Sequence, residues 1–301
     1  MADYRRPIRF GYFLIPDADP SRALHLAALA DELGLDYVGV QDHPYQPRFH
    51  DTWTLLTAIA MRTQRISVFP DVISLPLRPP AMLAKAAASL DWLSGGRFEL
   101  GLGAGAFWDP IAAMGAPRRT PGESVRALEE AIQVIRLMWS GERSVRFRGE
   151  FYQLGGVHPG PVPAHPIGIW LGVIRPRALA LTGRLADGWV PSFGYVPPSQ
   201  LPAMHARIDD AARSAGRDPA AIQRLYNIGG VIGGGDPASP LSGAAERWAE
   251  SLATFALENG MDTFVFAEGQ DAENQLRRFA LEVVPRTQEL VEQARRTSAP
   301  R

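Results

Sequence analysis

Apolar runs of strand length alternate with longer amphipathic segments along nearly the whole chain, and that alternation leaves few folds open. A strand joined to the next by a helix-length connection returns parallel to its neighbour, and the helices then cover the sheet. Strands read at residues 8–14, 36–41, 66–73, 97–101, 167–173, 188–191, 225–232 and 263–267. Helices read at 21–33, 52–62, 81–93, 123–139, 177–184, 202–215, 244–258 and 272–290, the fourth marked most clearly by Val125, Leu128, Ile132, Ile135 and Met138. Asp19 or Ser21, and Asp51, can cap helices, while Gly34 and Ser94-Gly95-Gly96 can stop them. Eight such units without a break in composition predict an α/β fold of the closed (β/α)8 TIM-barrel type rather than an open doubly wound sheet. The expected organisation is one domain over 1–301, with a Gly- and Pro-rich excursion and short hairpin at 140–166 between the fourth helix and fifth strand. A mobile connection is expected at 233–237 and a solvated tail at 291–301.

Charge and composition remove several function classes. With 31 Lys+Arg against 32 Asp+Glu, the chain lacks the bulk positive charge of nucleic-acid and anionic-membrane binders. The absence of cysteine excludes disulfides, thiolate nucleophiles, zinc-thiolate sites and cysteine-ligated clusters. Lys85 is the one lysine and falls within the third helix, which argues against Schiff-base chemistry. No apolar leader follows Met1 and no apolar run reaches the ~18 residues of a spanning helix, so a soluble, cytoplasmic protein without nucleic-acid or membrane partners is expected. There is no P-loop, no nucleophile elbow and no compact histidine spacing for a metal.

In a barrel of this kind, functional residues gather just past the carboxyl ends of the strands. Asp42-His43 follow strand two, Asp71 to Ser74 close strand three, Gly103-Ala104-Gly105 follow strand four, Gly172 to Arg175 end strand five, and Ser192-Phe193 follow strand six. His43 carries the most weight, because an imidazole exchanges a proton near neutral pH; the competing reading is a loop histidine bonded to Asp42 or solvent. The glycines of 101–105 can admit a phosphate to backbone N–H groups, or simply form a tight strand-end turn. They are not a dinucleotide fingerprint, since the third glycine is mis-spaced and Phe107-Trp108-Asp109-Pro110 stands where a helix should open. Phe107, Trp108, Trp170, Trp189, Phe193 and Tyr195 lie near strand ends and could wall a planar ligand, core packing being the commoner role for Trp170 and Trp189. Trp53, Trp92, Trp139 and Trp248 read as helix packing residues, His50 as a rim residue, and His25, His158 and His165 as structural or surface groups.

The run Pro76-Leu77-Arg78-Pro79-Pro80-Ala81-Met82-Leu83-Ala84-Lys85, continued by Leu90-Asp91-Trp92-Leu93-Ser94-Gly95-Gly96-Arg97-Phe98-Glu99-Leu100-Gly101-Leu102-Gly103-Ala104-Gly105, resembles the bacterial luciferase-like flavin and deazaflavin oxidoreductases. Leu185-Ala186-Asp187-Gly188-Trp189 and Gly149-Glu150-Phe151-Tyr152-Gln153-Leu154 are similar to two further segments of that family. The resemblance is strong over 8–190 and looser beyond. It implies a TIM barrel carrying the deazaflavin coenzyme F420, or alternatively FMN, at the carboxyl mouth. It also implies a non-proline cis peptide within 71–75, in a bulge whose Val72 and Ser74 meet the cofactor. By position, Asp42 and His43 look like the family's Asp/His pair beside the reactive ring, both catalytic, with Asp42 also at the cofactor. Gly103, Ala104, Gly105, Gly172, Val173, Ile174 and Arg175 would contact the phosphate or polar tail, Arg175 through its planar fork. Phe107, Trp108, Asp109, Phe193 and Tyr195 would form the substrate pocket. Sugar-oxidising members place a glutamate shortly after the glycine loop, where this chain has Ala106-Phe107-Trp108-Asp109, so a sugar-phosphate specificity is not carried over. The short chain and Arg-rich composition favour F420 and hydride transfer to or from a small organic substrate. The alternatives are an FMN-dependent monooxygenase supplied with reduced flavin by a partner reductase, and a flavin-binding barrel without turnover. A flavin or F420 reductase partner and a homodimer are implied in the same way.

Overall fold

The computed structural model describes residues 3–17, 19–267 and 269–298. In chain order the elements are β1 (Arg9–Leu14), α1 (Pro20–Glu32), β2 (Tyr37–Val40), α2 (Thr52–Arg62), β3 (Ser67–Pro70), β4 (Ile73–Ser74), α3 (Pro80–Ser94) and β5 (Leu100–Gly103). Then come α4 (Trp108–Ala113), α5 (Pro121–Trp139), β6 (Val145–Arg148), β7 (Gln153–Val157), β8 (Ile169–Leu171), α6 (Pro176–Leu185), β9 (Gly188–Trp189) and α7 (Leu201–Ser214). The last are β10 (Gln223–Ile228), β11 (Val231–Ile232), β12 (Ser242–Gly243), α8 (Ala245–Leu257), β13 (Thr263–Ala267), α9 (Ala272–Arg278) and α10 (Val284–Thr297).

The main sheet runs β3-β2-β1-β13-β10-β9-β8-β5-β4, with parallel ladders throughout. β3 and β4 are two halves of one strand, and a parallel bridge from Val68 to Phe98 closes the circle. The result is the expected TIM barrel, its strands following one another around the wall in chain order. Its interior is a small aromatic cluster in which Trp170 meets Tyr37 and Phe69 edge-on, at centroid distances of 5.3 and 5.0 Å. Val190, Leu225 and Val265 complete that cluster, while a larger apolar layer fills the space between strands and helices. Trp170 and Trp189 are buried in these layers and do not wall a pocket. Trp92, expected to pack, is 60% exposed and donates its Nε1–H to the Val162 carbonyl.

Several boundaries move for identifiable reasons. The third strand breaks after Pro70, where the Asp71–Val72 peptide is cis. The fourth starts at Leu100, not residue 97, because Arg97 is turned into a staple. Its side chain donates to Ser94 O, Thr63 Oγ1, Ile66 O, Ala60 O and Thr63 O, joining the ends of α2 and α3 to the start of β3. Arg97→Ala is expected to lower stability by about 3 kcal/mol, since several buried carbonyls lose their donors at once; a denaturant midpoint equal to wild type would contradict it. The seventh strand ends at Ile228, and Val231–Ile232 pairs instead with Ser242–Gly243. The segment expected to be a mobile connection is tied to that ladder by Gly233 N–H to Gly243 O and Gly243 N–H to Gly234 O.

α4 opens at Trp108, an additional helix where none is expected from the sequence. α5 begins two residues earlier than expected, at Pro121, under a capping box of Thr120 and Glu123. The excursion carries the antiparallel hairpin β6–β7, tethered to α5 by the Glu130 carboxylate, which accepts from the N–H groups of Glu150, Phe151 and Tyr152. The final helix continues past residue 290 to Thr297, through a π turn at Phe279–Val283 just ahead of Pro285, which has no N–H to donate. Part of the expected solvated tail is therefore docked: Val291 is buried, and Arg295 donates to Asp3 and to the Arg6 carbonyl. Residues 299–301 of that tail lie outside the described residues.

Candidate active site

The break in the third strand organises the carboxyl mouth of the barrel. Val72 projects across it against β5 and β8. A Cβ built on Gly101 would lie 1.9 Å from the Pro70 carbonyl oxygen, and Cβ atoms on Gly103 and Gly172 would lie 2.9 and 2.7 Å from Val72 Cγ2. These glycines thus have a packing reason for being glycine: the bulge occupies their side-chain space. Asp42 anchors the bulge from the end of β2. One of its carboxylate oxygens accepts Ser74 N–H at 2.8 Å, and the other pairs with Arg78 at 3.3 Å. Arg78 also pairs with Asp51 at 2.6 Å, while Asp51 caps α2 by accepting from Thr54 N–H. Buried and doubly engaged, Asp42 holds geometry and acts on its neighbour through its charge.

That neighbour is His43, half-buried on the wall of a cleft of about 360 Å³ lined also by Tyr45, Gln46, Phe107 and Pro110. The Phe107 ring stands edge-on to the imidazole at 5.4 Å. His43 Nδ1 lies 2.5 Å from the Tyr45 hydroxyl, and Nε2 has no protein partner among the described residues. Burial lowers the imidazole pKa from its ordinary 6.5, against the opposing pull of Asp42. The same burial, reinforced by Asp42, pushes the Tyr45 phenol up to about 12. At neutral pH the pair is therefore a neutral imidazole hydrogen-bonded to a neutral phenol.

The other sequence candidates divide. Gly105 and Ala104 continue from β5 towards Trp108, whose ring packs on Gly105. Gly172, Val173 and Ile174 follow β8, with the Val173 carbonyl committed to Trp189 Nε1–H at 2.8 Å. Arg175 is exposed at the start of α6 with no partner among the described residues, beside helix N–H groups that lack intrahelical acceptors. Tyr195 is 74% exposed. Phe193 packs on Tyr226 and Phe255, against α8. Asp109 is paired with Arg118, with its side chain 91% exposed, so neither it nor Phe193 lines the cleft beside His43. His50 is exposed, and His25, His158 and His165 bond elsewhere, to Glu273, the Arg143 carbonyl and Asp91. Asp71 was expected here only as part of the end of strand three, and Tyr45, Arg78 and Asn227 carried no expectation of a place in the site. An asparagine inside an otherwise apolar strand was the signal available for Asn227. No cluster suited to a metal ion occurs among the described residues, and none of their helices is long and apolar enough to cross a membrane.

A closed parallel barrel hosts many activities, and comparisons with known proteins narrow them. The family model described as luciferase-like monooxygenase matches residues 8–293. An F420-dependent glucose-6-phosphate dehydrogenase of Nakamurella multipartita is 32% identical over 230 residues, spanning 74% of this chain and 67% of that protein. One of the same name from Microbacterium testaceum is 30% identical over 232 residues, spanning 74% and 68%. Among solved structures, an F420-dependent secondary alcohol dehydrogenase in complex with an F420-acetone adduct superposes with a TM-score of 0.83 at 20% identity, covering 94% of this chain and 99% of that one. The coenzyme F420 dependent tetrahydromethanopterin reductase of Methanopyrus kandleri gives 0.81 at 20% identity, covering 93% and 99%. The chain belongs to the luciferase-like monooxygenase family. It is a flavin- or F420-dependent oxidoreductase with a fold suited to hydride transfer.

Proposed function

We propose that the protein transfers a hydride between the deazaflavin F420 and a small organic substrate carrying a hydroxyl or carbonyl group. The observation that carries this reading is His43, a neutral imidazole on the cleft wall with one nitrogen held by Tyr45 and the other unengaged. Relatives named as F420-dependent glucose-6-phosphate dehydrogenases support the choice of cofactor.

The residues fit such a group. Val72, Ser74, Asp42, Gly103 and Gly172, gathered around the bulge, would hold its planar ring. Its anionic end would meet Arg175 and the N–H groups at the start of α6, with Ala104, Gly105, Val173 and Ile174 along the way. A bound deazaflavin supplies the hydride acceptor or donor. His43 would move the accompanying proton: in the tautomer that carries its proton on Nδ1, towards the Tyr45 oxygen, Nε2 is free to accept the proton of a substrate hydroxyl in the oxidising direction. Tyr45 fixes the ring orientation, Asp42 steadies the charged imidazolium, and Phe107, with Trp108 and Tyr195 at the rim, shields the cleft from water.

Titrating the purified protein with F420 and with FMN, each oxidised and reduced, by fluorescence or calorimetry tests this directly. Tighter binding of F420 is expected. Preference for reduced FMN would move the assignment to an oxygen-consuming monooxygenase, and binding of neither would overturn it.

A further inference from the structure

Polar atoms left without protein partners collect at the floor of the mouth. Asp71 directly follows the third strand's first half, with 8% of its surface exposed, and its Oδ1 accepts from Asn227 Nδ2 at 3.1 Å. Its Oδ2 is buried and meets no donor among the described residues. Gly39 makes room for this carboxyl, since a Cβ there would lie 3.1 Å from Oδ2. Asn227 shares its Nδ2 with Ser192 Oγ at 3.3 Å, yet its own Oδ1 is buried and unpaired. Ser74 Oγ, just past the bulge, is a third such atom.

Folded proteins leave few buried polar atoms unsatisfied, because each carries its full desolvation cost. Three at the carboxyl ends of the strands, where the barrel opens, point to a ligand that completes them. Their chemistry narrows the ligand. Burial pushes the Asp71 carboxyl up to about 7, with the Asn227 hydrogen bond only partly opposing it, so its acid form is accessible and can donate through Oδ2. The amide oxygen of Asn227 can only accept. A donor beside an acceptor complements a carbonyl beside an N–H, the pattern on the edge of a cyclic imide.

We propose that Asp71 and Asn227 read the imide edge of the bound flavin-type ring, Asp71 hydrogen-bonding a ring carbonyl and Asn227 accepting the adjacent ring N–H. This rests on the reading of the mouth as a deazaflavin or flavin site, and it assigns these two residues to holding the cofactor ring rather than to proton transfer.

The test reads binding rather than turnover. Dissociation constants for oxidised F420 and oxidised FMN are measured by fluorescence quenching and by the shift of the ring absorption band, for wild type, Asp71→Asn and Asp71→Ala. Asp71→Asn keeps a donor and should bind within about threefold of wild type, whereas Asp71→Ala should weaken binding about tenfold or more. Loss in both variants, or in neither, overturns the inference. A ring methylated at the imide nitrogen, titrated against unmodified protein, needs no variant: about tenfold weaker binding is expected, and equal binding overturns the inference. If wild type binds neither cofactor, the functional reading fails and this one with it, whereas normal binding that ignores Asp71 and the imide nitrogen overturns this inference alone.

Discussion

Replacing His43 with alanine is expected to lower kcat about 10²- to 10⁴-fold, the usual range for a positioned proton-transfer group, while cofactor affinity changes less than about threefold. The split follows from the geometry. His43 lines the cleft and meets Tyr45 and Phe107, whereas the bulge is held by Asp42 and Arg78, which the substitution leaves in place. The pH profile gives an independent readout. Burial keeps the His43 pKa below 6.5, so the imidazole is neutral and able to accept a proton at pH 7. In the oxidising direction, kcat/KM should be flat above that value and fall as pH drops through it, when His43 becomes protonated. Asp71 is pushed up to about 7 and titrates nearby, so the profile is repeated on Asp71→Asn; the acid limb should persist there and vanish in His43→Ala. An unchanged rate at saturating cofactor in His43→Ala would sink the proton-transfer role.

Much of the barrel was readable from the chain because parallel strands with covered faces are written as apolar runs, and the connecting helices carry their own caps and periodicity. The elements that escaped are those decided by contacts between distant segments. Arg97 looked like the start of a strand and is instead bonded to the ends of two helices. Val231–Ile232 looked like more of the seventh strand and finds its partner at Ser242–Gly243. The mouth shows the same division. Asp42 and His43 could be nominated because they follow a strand, but the phenol holding His43 and the guanidinium bridging Asp42 to Asp51 have no local signature. Aromatic side chains near strand ends were ambiguous for a similar reason. Phe107 reaches the cleft, while Phe193, just past the sixth strand, turns to α8.

A loss of stability as large as that of Arg97→Ala is expected at Gly101, whose role was ambiguous in sequence and is unambiguous in the fold. An alanine Cβ there would sit 1.9 Å from the Pro70 carbonyl oxygen, a backbone atom that cannot swing aside as a side-chain end would. Either β5 or the bulge must move, and both are pinned: β5 pairs with β8 and β4, and Ser74 N–H is bonded to Asp42. Overpacking against fixed backbone costs about 3 kcal/mol, occasionally more, so Gly101→Ala should unfold at markedly lower denaturant. Because the displaced bulge is also the proposed ring platform, the folded fraction should bind cofactor at least tenfold more weakly. Gly155→Ala in the hairpin is the matched control. A Cβ there would meet nothing within 4 Å, and its effect should stay within about 0.5 kcal/mol. Equal midpoints for the two variants would mean that the bulge can yield, and that Gly101 is not what holds it against the barrel wall.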